Sequence, residues 1–209
     1  MRPKPIYVEI DIAADIDTVW ELTQDPRQHT QWDARFSRIV PTGDLDGEAG
    51  VDAGAHGRSG TGYRFRYERR MPFHTITGTG TTIGERSRPD GTRTSALRFT
   101  TADRFSPLGD GRGYWRYVPI DGGTRFITGY DYEPGWGRAL DAVLIRPLVG
   151  RLTAWSFDRL RIWAESGVPP RSPLRFWARD RPRASRCRRA PWRAHDATPP
   201  TTLDTLEAP

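Results

Sequence analysis

The sequence is short of several residue types, and each shortage excludes something. Cys187 is its only cysteine. No disulfide can form within the chain, and a reducing compartment is the simplest reading. Lys4 is the only lysine among 32 Lys and Arg residues, and asparagine is absent. Lysine and asparagine codons are AT-rich, so this bias implies a GC-rich bacterial genome, and part of the arginine richness is codon usage. No apolar run reaches the ~18 residues that a membrane-spanning helix needs. The opening stretch MRPKPIYVEIDI has no apolar signal core. Together these lead to the expectation of a cytoplasmic protein. There is no HExxH, no CxxC pair and no GxSxG, which argues against zinc and against a nucleophile elbow. No cofactor is expected.

Aromatic residues are plentiful: 11% of 209 residues, eight of them Trp. That is enough for a sizeable core, although 36% hydrophobic residues overall is low for a uniformly folded chain. Charge is unevenly placed. Residues 169–209 hold nine Arg against Asp180, Asp196, Asp204 and Glu207, so most of the +6 net charge lies there. The same segment has eight Pro and no sustained period, and is expected to be a disordered tail. Residues 1–168 are expected to form the folded domain. They are nearly neutral, which argues against a nucleic-acid-binding body. The tail interleaves Arg with Phe176, Trp177 and Trp192, a composition able to touch anionic membranes or nucleic acid.

Periodicity divides the first 168 residues into three parts. IYVEIDI (6–12) alternates as a strand does, with Ile6, Val8, Ile10 and Ile12 on one face. Residues 15–25 read as a short helix capped by Asp15 and stopped by Asp25–Pro26, and a second short helix closes with Trp32. Strands are then expected at 35–40, 63–71, 74–85, 94–105, 113–120 and 124–133, with RPDGT and DGGT as turns. A short strand near Val51 is also expected. Such a run of strands is an antiparallel meander. Residues 136–166 return to helical spacing, with Leu140, Leu144, Leu148, Leu152, Trp155 and Trp163 as a stripe and Pro147 as a break or a new start.

VEIDIAADIDTVWELTQDPRQHTQWDARFSRI resembles the opening of the SRPBCC superfamily (START-like, polyketide cyclase/dehydrase-like proteins). GGTRFITGYDYEPGWGRAL is similar to its last strand entering the final helix. The resemblance covers roughly residues 4–168. It implies an α+β helix-grip fold: a curved antiparallel sheet wrapped around a long C-terminal helix, two short helices after the first strand, and a deep cavity between sheet and helix. Members bind lipids, sterols, polyketides and other apolar molecules, and a subset are aromatases or cyclases.

Alternation nominates the groups facing such a cavity. Tyr63, Phe65 and Tyr67 share a face that continues to Arg69; Leu97, Phe99, Thr101 and Asp103 share another; Trp115 pairs with Tyr117; and Phe126, Thr128, Tyr130 and Tyr132 share a fourth. Trp32 is read as a core anchor or a pocket-mouth residue, and Trp155 as a contribution from the last helix. The ligand-binding candidates are therefore Trp32, Tyr63, Phe65, Tyr67, Arg69, Phe99, Trp115, Tyr117, Tyr130 and Trp155. Asp103 is expected to pair with an arginine, His74 has no recognisable catalytic partner, and His29 and His56 are expected at the surface. GTGTTIG (78–84) reads as a bent strand and DLDGE (44–48) as an acidic turn. The first functional reading is binding of a hydrophobic or aromatic small molecule. The alternatives are a polyketide aromatase/cyclase and an adapter that works through the basic tail.

Overall fold

A computed structural model describes residues 5–44 and 63–170. The expectations for Val51, His56 and the tail lie outside the described residues. The elements run β1 (Ile6–Ile12), α1 (Ile16–Gln24), α2 (Pro26–Trp32), β2 (Arg38–Asp44), β3 (Tyr63–Arg70), β4 (Thr75–Ser87), β5 (Arg93–Thr100), β6 (Leu108–Ile120), β7 (Gly123–Pro134), α3 (Arg138–Leu140), a π-turn (Asp141–Ile145) and α4 (Arg146–Ser166). The strands form one seven-stranded sheet ordered β1-β7-β6-β5-β4-β3-β2, antiparallel at every pairing. This is the helix-grip architecture.

The order explains the two short helices. β1 lies on one edge of the sheet and β2 on the other, so the chain between them crosses the whole width. Asp15 caps α1 by accepting the Thr18 amide at 2.8 Å. Asp25 ends α1 in an extended conformation and caps α2 by accepting the Arg27 amide at 2.8 Å. Pro26, beside it, suits a helix start because its missing N–H is not needed there. The two tryptophans fasten this crossing. Trp20 lies 4.9 Å from Tyr117 on β6. Trp32 is fully buried, donates Nε1–H to the Leu22 carbonyl at 2.8 Å, and meets Phe126 and Phe157 edge-on.

Pro147 stands in the first turn of the last helix, a new start as expected, and the irregularity comes just before it. In the π-turn the Arg146 amide reaches the Asp141 carbonyl five residues back. That spacing also brings Arg146 Nε to 2.9 Å from Asp141 Oδ2, while the Tyr132 hydroxyl donates to Asp141 Oδ1 at 2.6 Å. Buried Arg146 and Asp141 thus neutralise each other inside the fold. The leucine stripe is a correction. Leu140, Leu144 and Leu148 are exposed, and the core side carries Ile145, Val149, Thr153, Phe157, Leu160 and Trp163. Steps of four residues overshoot a helical turn by about 40° each, so the row walks around the helix: Leu148, Leu152 and Trp155 fall beside the buried row of α4, and only Trp163 of the stripe reaches the core. Gly167, at φ 67°, ends α4 with its amide on the Trp163 carbonyl at 2.8 Å.

Candidate functional site

Paired residues in an antiparallel sheet share a face, so the register identifies the inner one. Phe126 pairs with Ile10 and with Tyr117; Tyr130 pairs with Ile6 and with Gly113. Trp115 pairs with Ser95, and Leu97 with Gly113; Phe99 pairs with Gly80, which pairs with Phe65. Tyr63, Phe65, Tyr67 and Arg69 on β3 therefore look the same way as Phe99, Trp115, Tyr117 and Tyr130.

That face has two halves. Under α4 and the crossing helices it is filled: Phe126 stacks on Phe157 at 4.6 Å, and the Tyr117 hydroxyl bonds Thr23 Oγ1 at 2.6 Å and Gln24 Nε2 at 3.0 Å. Trp32, Trp115 and Tyr117 belong to this half, with 0%, 7% and 0% exposure, and serve as core. Across β3, β4 and β5 the face is less covered, and Tyr63, Phe65, Tyr67, Leu97 and Phe99 are only half-buried.

Glycines shape the open half. A Cβ on Gly80 would meet the Phe65 ring at 2.1 Å; one on Gly78 would meet the Tyr67 hydroxyl at 2.2 Å; one on Gly111 would meet the Phe99 ring at 2.5 Å. Each ring lies flat over a glycine of the next strand. Side chains that would otherwise stand upright and fill the groove form its floor. Tyr63 sits 5.5 Å from Phe65, Phe36 lies 5.7 Å from Tyr67, and Tyr130 lies 6.4 Å from Phe99. Tyr130 reaches α4 through Thr153 Oγ1 at 3.1 Å. Trp155, two residues beyond Thr153, points elsewhere on α4 and packs with Arg159, whose guanidinium is 4.8 Å from its ring.

One end of the groove is charged. Asp33, fully buried, takes Arg35 Nε at 2.9 Å and Nη2 at 2.6 Å, and the ring of His29 at 3.0 Å. Burial alone would raise the Asp33 carboxyl, but the Arg35 charge and the His29 hydrogen bond hold it far below the usual range. Nε and Nη2 of Arg35 serve Asp33, and the side chain also meets the Tyr130 hydroxyl. The guanidinium lies 5.5 Å from the Tyr130 ring and 5.6 Å from Phe36. Arg69 joins this end and clamps the loop by donating Nη1–H to the Ala34 carbonyl. His29 corrects the surface expectation: it is buried and stacked on Trp32 at 4.8 Å.

A second polar station lies on the inner face of β4. Glu85 pairs with Ser95 after a register shift between Thr82 and Gly84. Burial pushes its carboxyl up, and the Glu85 charge adds to burial in raising the Tyr63 phenol to about 12. Tyr67 is likewise pushed up to about 12, by burial first and then by Asp110. Ser95 Oγ nearby is buried without a hydrogen-bond partner among the described residues.

At the rim, Asp103 pairs with His74 Nε2 at 2.7 Å instead of with an arginine. A depression of about 950 Å³ opens where β5–β7 meet the turn into α3, but Arg98, Arg112 and Arg138 in its lining face Asp110, Asp131 and Glu133. It is open and charge-balanced, and its lining is more polar than that of a typical small-molecule site.

The model of the family described as "Polyketide cyclase / dehydrase and lipid transport" matches residues 5–162. A Bacillus subtilis protein named "Uncharacterized membrane protein YndG" is 39% identical over 180 residues, which span 84% of this chain and 62% of that protein. Among the described residues no helix is long and apolar enough to cross a membrane. The hypothetical protein jhp0584 of Helicobacter pylori superposes with a TM-score of 0.58 at 12% identity, over 78% of this chain and 89% of that one. The Zhui aromatase/cyclase of Streptomyces sp. R1128 gives 0.50 at 16% identity, over 79% and 98%. At such identities the two structures speak for the fold alone.

Proposed function

Since the chain belongs to the polyketide cyclase/dehydrase and lipid-transport family, we propose that it binds an apolar or aromatic small molecule in the groove between β3–β5 and α4. The observation that carries this reading is the aromatic floor: Phe65, Tyr67 and Phe99 laid flat over Gly80, Gly78 and Gly111 and only half covered. Apolar ligand surface buried there is worth about 25 cal/mol per Å² before the costs of association. Arg35 and Arg69 orient the ligand by an oxygen-rich end, a carboxylate, enolate or carbonyl, because a guanidinium binds planar oxygen groups through paired N–H donors. Native mass spectrometry of freshly purified protein tests the reading. A co-purified apolar molecule bearing such an end is expected. Protein that is empty, and that takes up no anionic aromatic probe such as 1-anilinonaphthalene-8-sulfonate, would defeat it.

A second reading is favoured by Glu85. A half-buried carboxyl with a raised pKa, on the inner face beside Tyr63, suits acid–base chemistry on a bound carbonyl. A poly-β-ketone chain folded in the groove would then undergo aldol closure. Altered cyclisation by the wild type that is lost in Glu85→Gln and Arg69→Ala supports this. An unchanged product spectrum sinks it for that substrate.

A further inference from the structure

Apart from Val168, the exposed large apolar side chains of the described residues gather at one end of the molecule. The β3–β4 turn, the β5–β6 loop and the β7–α3 turn are neighbours there. The His74 ring lies 5.1 Å from Phe105, and the Gly135 amide donates to the Pro107 carbonyl at 3.0 Å. Each turn carries an exposed aromatic at or near its tip: Phe73 at 101% exposure, Phe105 at 52% and Trp136 at 49%. Each also has an exposed arginine within three residues: Arg70, Arg104 and Arg138. The helix leaving this end continues the surface with Val143, Leu144 and Leu148, exposed by 81%, 53% and 56%.

Within the turns and the helix themselves the free charges are positive, while Asp110, Asp131 and Glu133 lie in the depression beside the turn into α3. From Pro134 to Phe157 the only acidic residue is Asp141, which is buried and bound to Arg146. In the three turns the only one is Asp103, which is bound to His74. Arg138 and Arg151 are exposed on the helix. Water-facing helices of soluble proteins show the opposite arrangement, with charge outside and apolar residues in. Aromatic tips with arginines beside them and an apolar outer helix face without free anions match an interfacial membrane element. Rings sit among headgroups, aliphatic side chains enter the acyl boundary, and guanidinium groups meet lipid phosphates.

We propose that this end of the body, turns and helix together, docks on a bilayer that carries anionic lipid. The proposal does not depend on what occupies the groove.

Flotation of the full chain with phosphatidylcholine vesicles, with and without phosphatidylglycerol, tests it. Wild type is expected to float with the phosphatidylglycerol vesicles and to keep part of that binding at high salt, because apolar insertion is not screened. The variant Phe73→Ser/Phe105→Ser/Val143→Ser keeps the tail intact and alters only exposed positions. It should lose about tenfold or more in partitioning with an unchanged circular dichroism spectrum. Wild type that stays with the solvent overturns the proposal. So does a variant that floats like wild type, which would leave binding to the tail. A variant whose solution mass falls while neither protein floats would make this end an interface between two copies and would equally overturn it.

Discussion

Asp33 is the residue on which the charged end depends. Its carboxylate holds Arg35 and His29 at once, and it is fully buried. Asp33→Asn leaves a guanidinium without its counter-charge, and a cost of about 3 kcal/mol is expected in urea unfolding. The folded pKa of Asp33 is depressed. Its contribution is therefore present above the ordinary carboxyl value of 3.8 and is lost as pH falls below it. The Asp33→Asn protein should lack that acid-dependent loss. Glu85 runs the other way. Its pKa is raised by burial, so the fold favours its neutral form. Stability is full below the ordinary glutamate value of 4.5 and declines as pH rises through the folded value. Glu85→Gln should melt higher than wild type at neutral pH, and the two curves should converge below pH 4.5. A gap independent of pH would show that burial of the charge is not the cause.

At the scale of elements, the pairing of glycine strands with aromatic strands makes the groove. Gly80 offers the clean test, because the three atoms nearest a Cβ there all belong to the Phe65 ring, whereas one on Gly78 or Gly111 also strikes backbone at 2.6 Å. Gly80→Ala should lift Phe65 off the sheet and into the groove at a stability cost of about 1–2 kcal/mol, with binding of an aromatic probe weakened by a larger factor than its melting would suggest. Equal probe affinity in the two proteins would remove the floor from the argument. The helix tells a related story about legibility. The strand faces of 63–69, 97–99, 115–117 and 126–132 can be read by counting in twos, because no bulge interrupts them. Counting in steps of four puts Leu144 and Leu148 on the wrong side, because each step overshoots a turn by about 40° and the row drifts around the helix.

For the whole molecule, binding in a groove between sheet and last helix couples to the stability of both. A ligand at a hundred times its Kd adds about 2.7 kcal/mol, which for a domain of this size raises Tm by roughly 5–10 °C. 1-Anilinonaphthalene-8-sulfonate should produce such a shift in wild type and a smaller one in Arg35→Gln. A shift of the same size in both would place the probe away from the charged end.

Sequence alone determined the order of the elements, the cap at Asp15 and the stop at Asp25–Pro26, and which strand residues share a face, because these depend on neighbours a few positions apart. It also contained the glycines and aromatics of the floor, but not that they lie over one another. Tertiary structure decided the rest. Strict alternation from Gly80 and Thr82 sends Glu85 outward; the register shift at Thr82/Gly84 turns it inward. His29, expected at the surface, and Asp33 and Arg35, between a short helix and a strand, become a buried charged cluster only because β3, β7 and α4 close around them. Local spacing sets which way a side chain leaves the backbone, and distant elements decide what it meets.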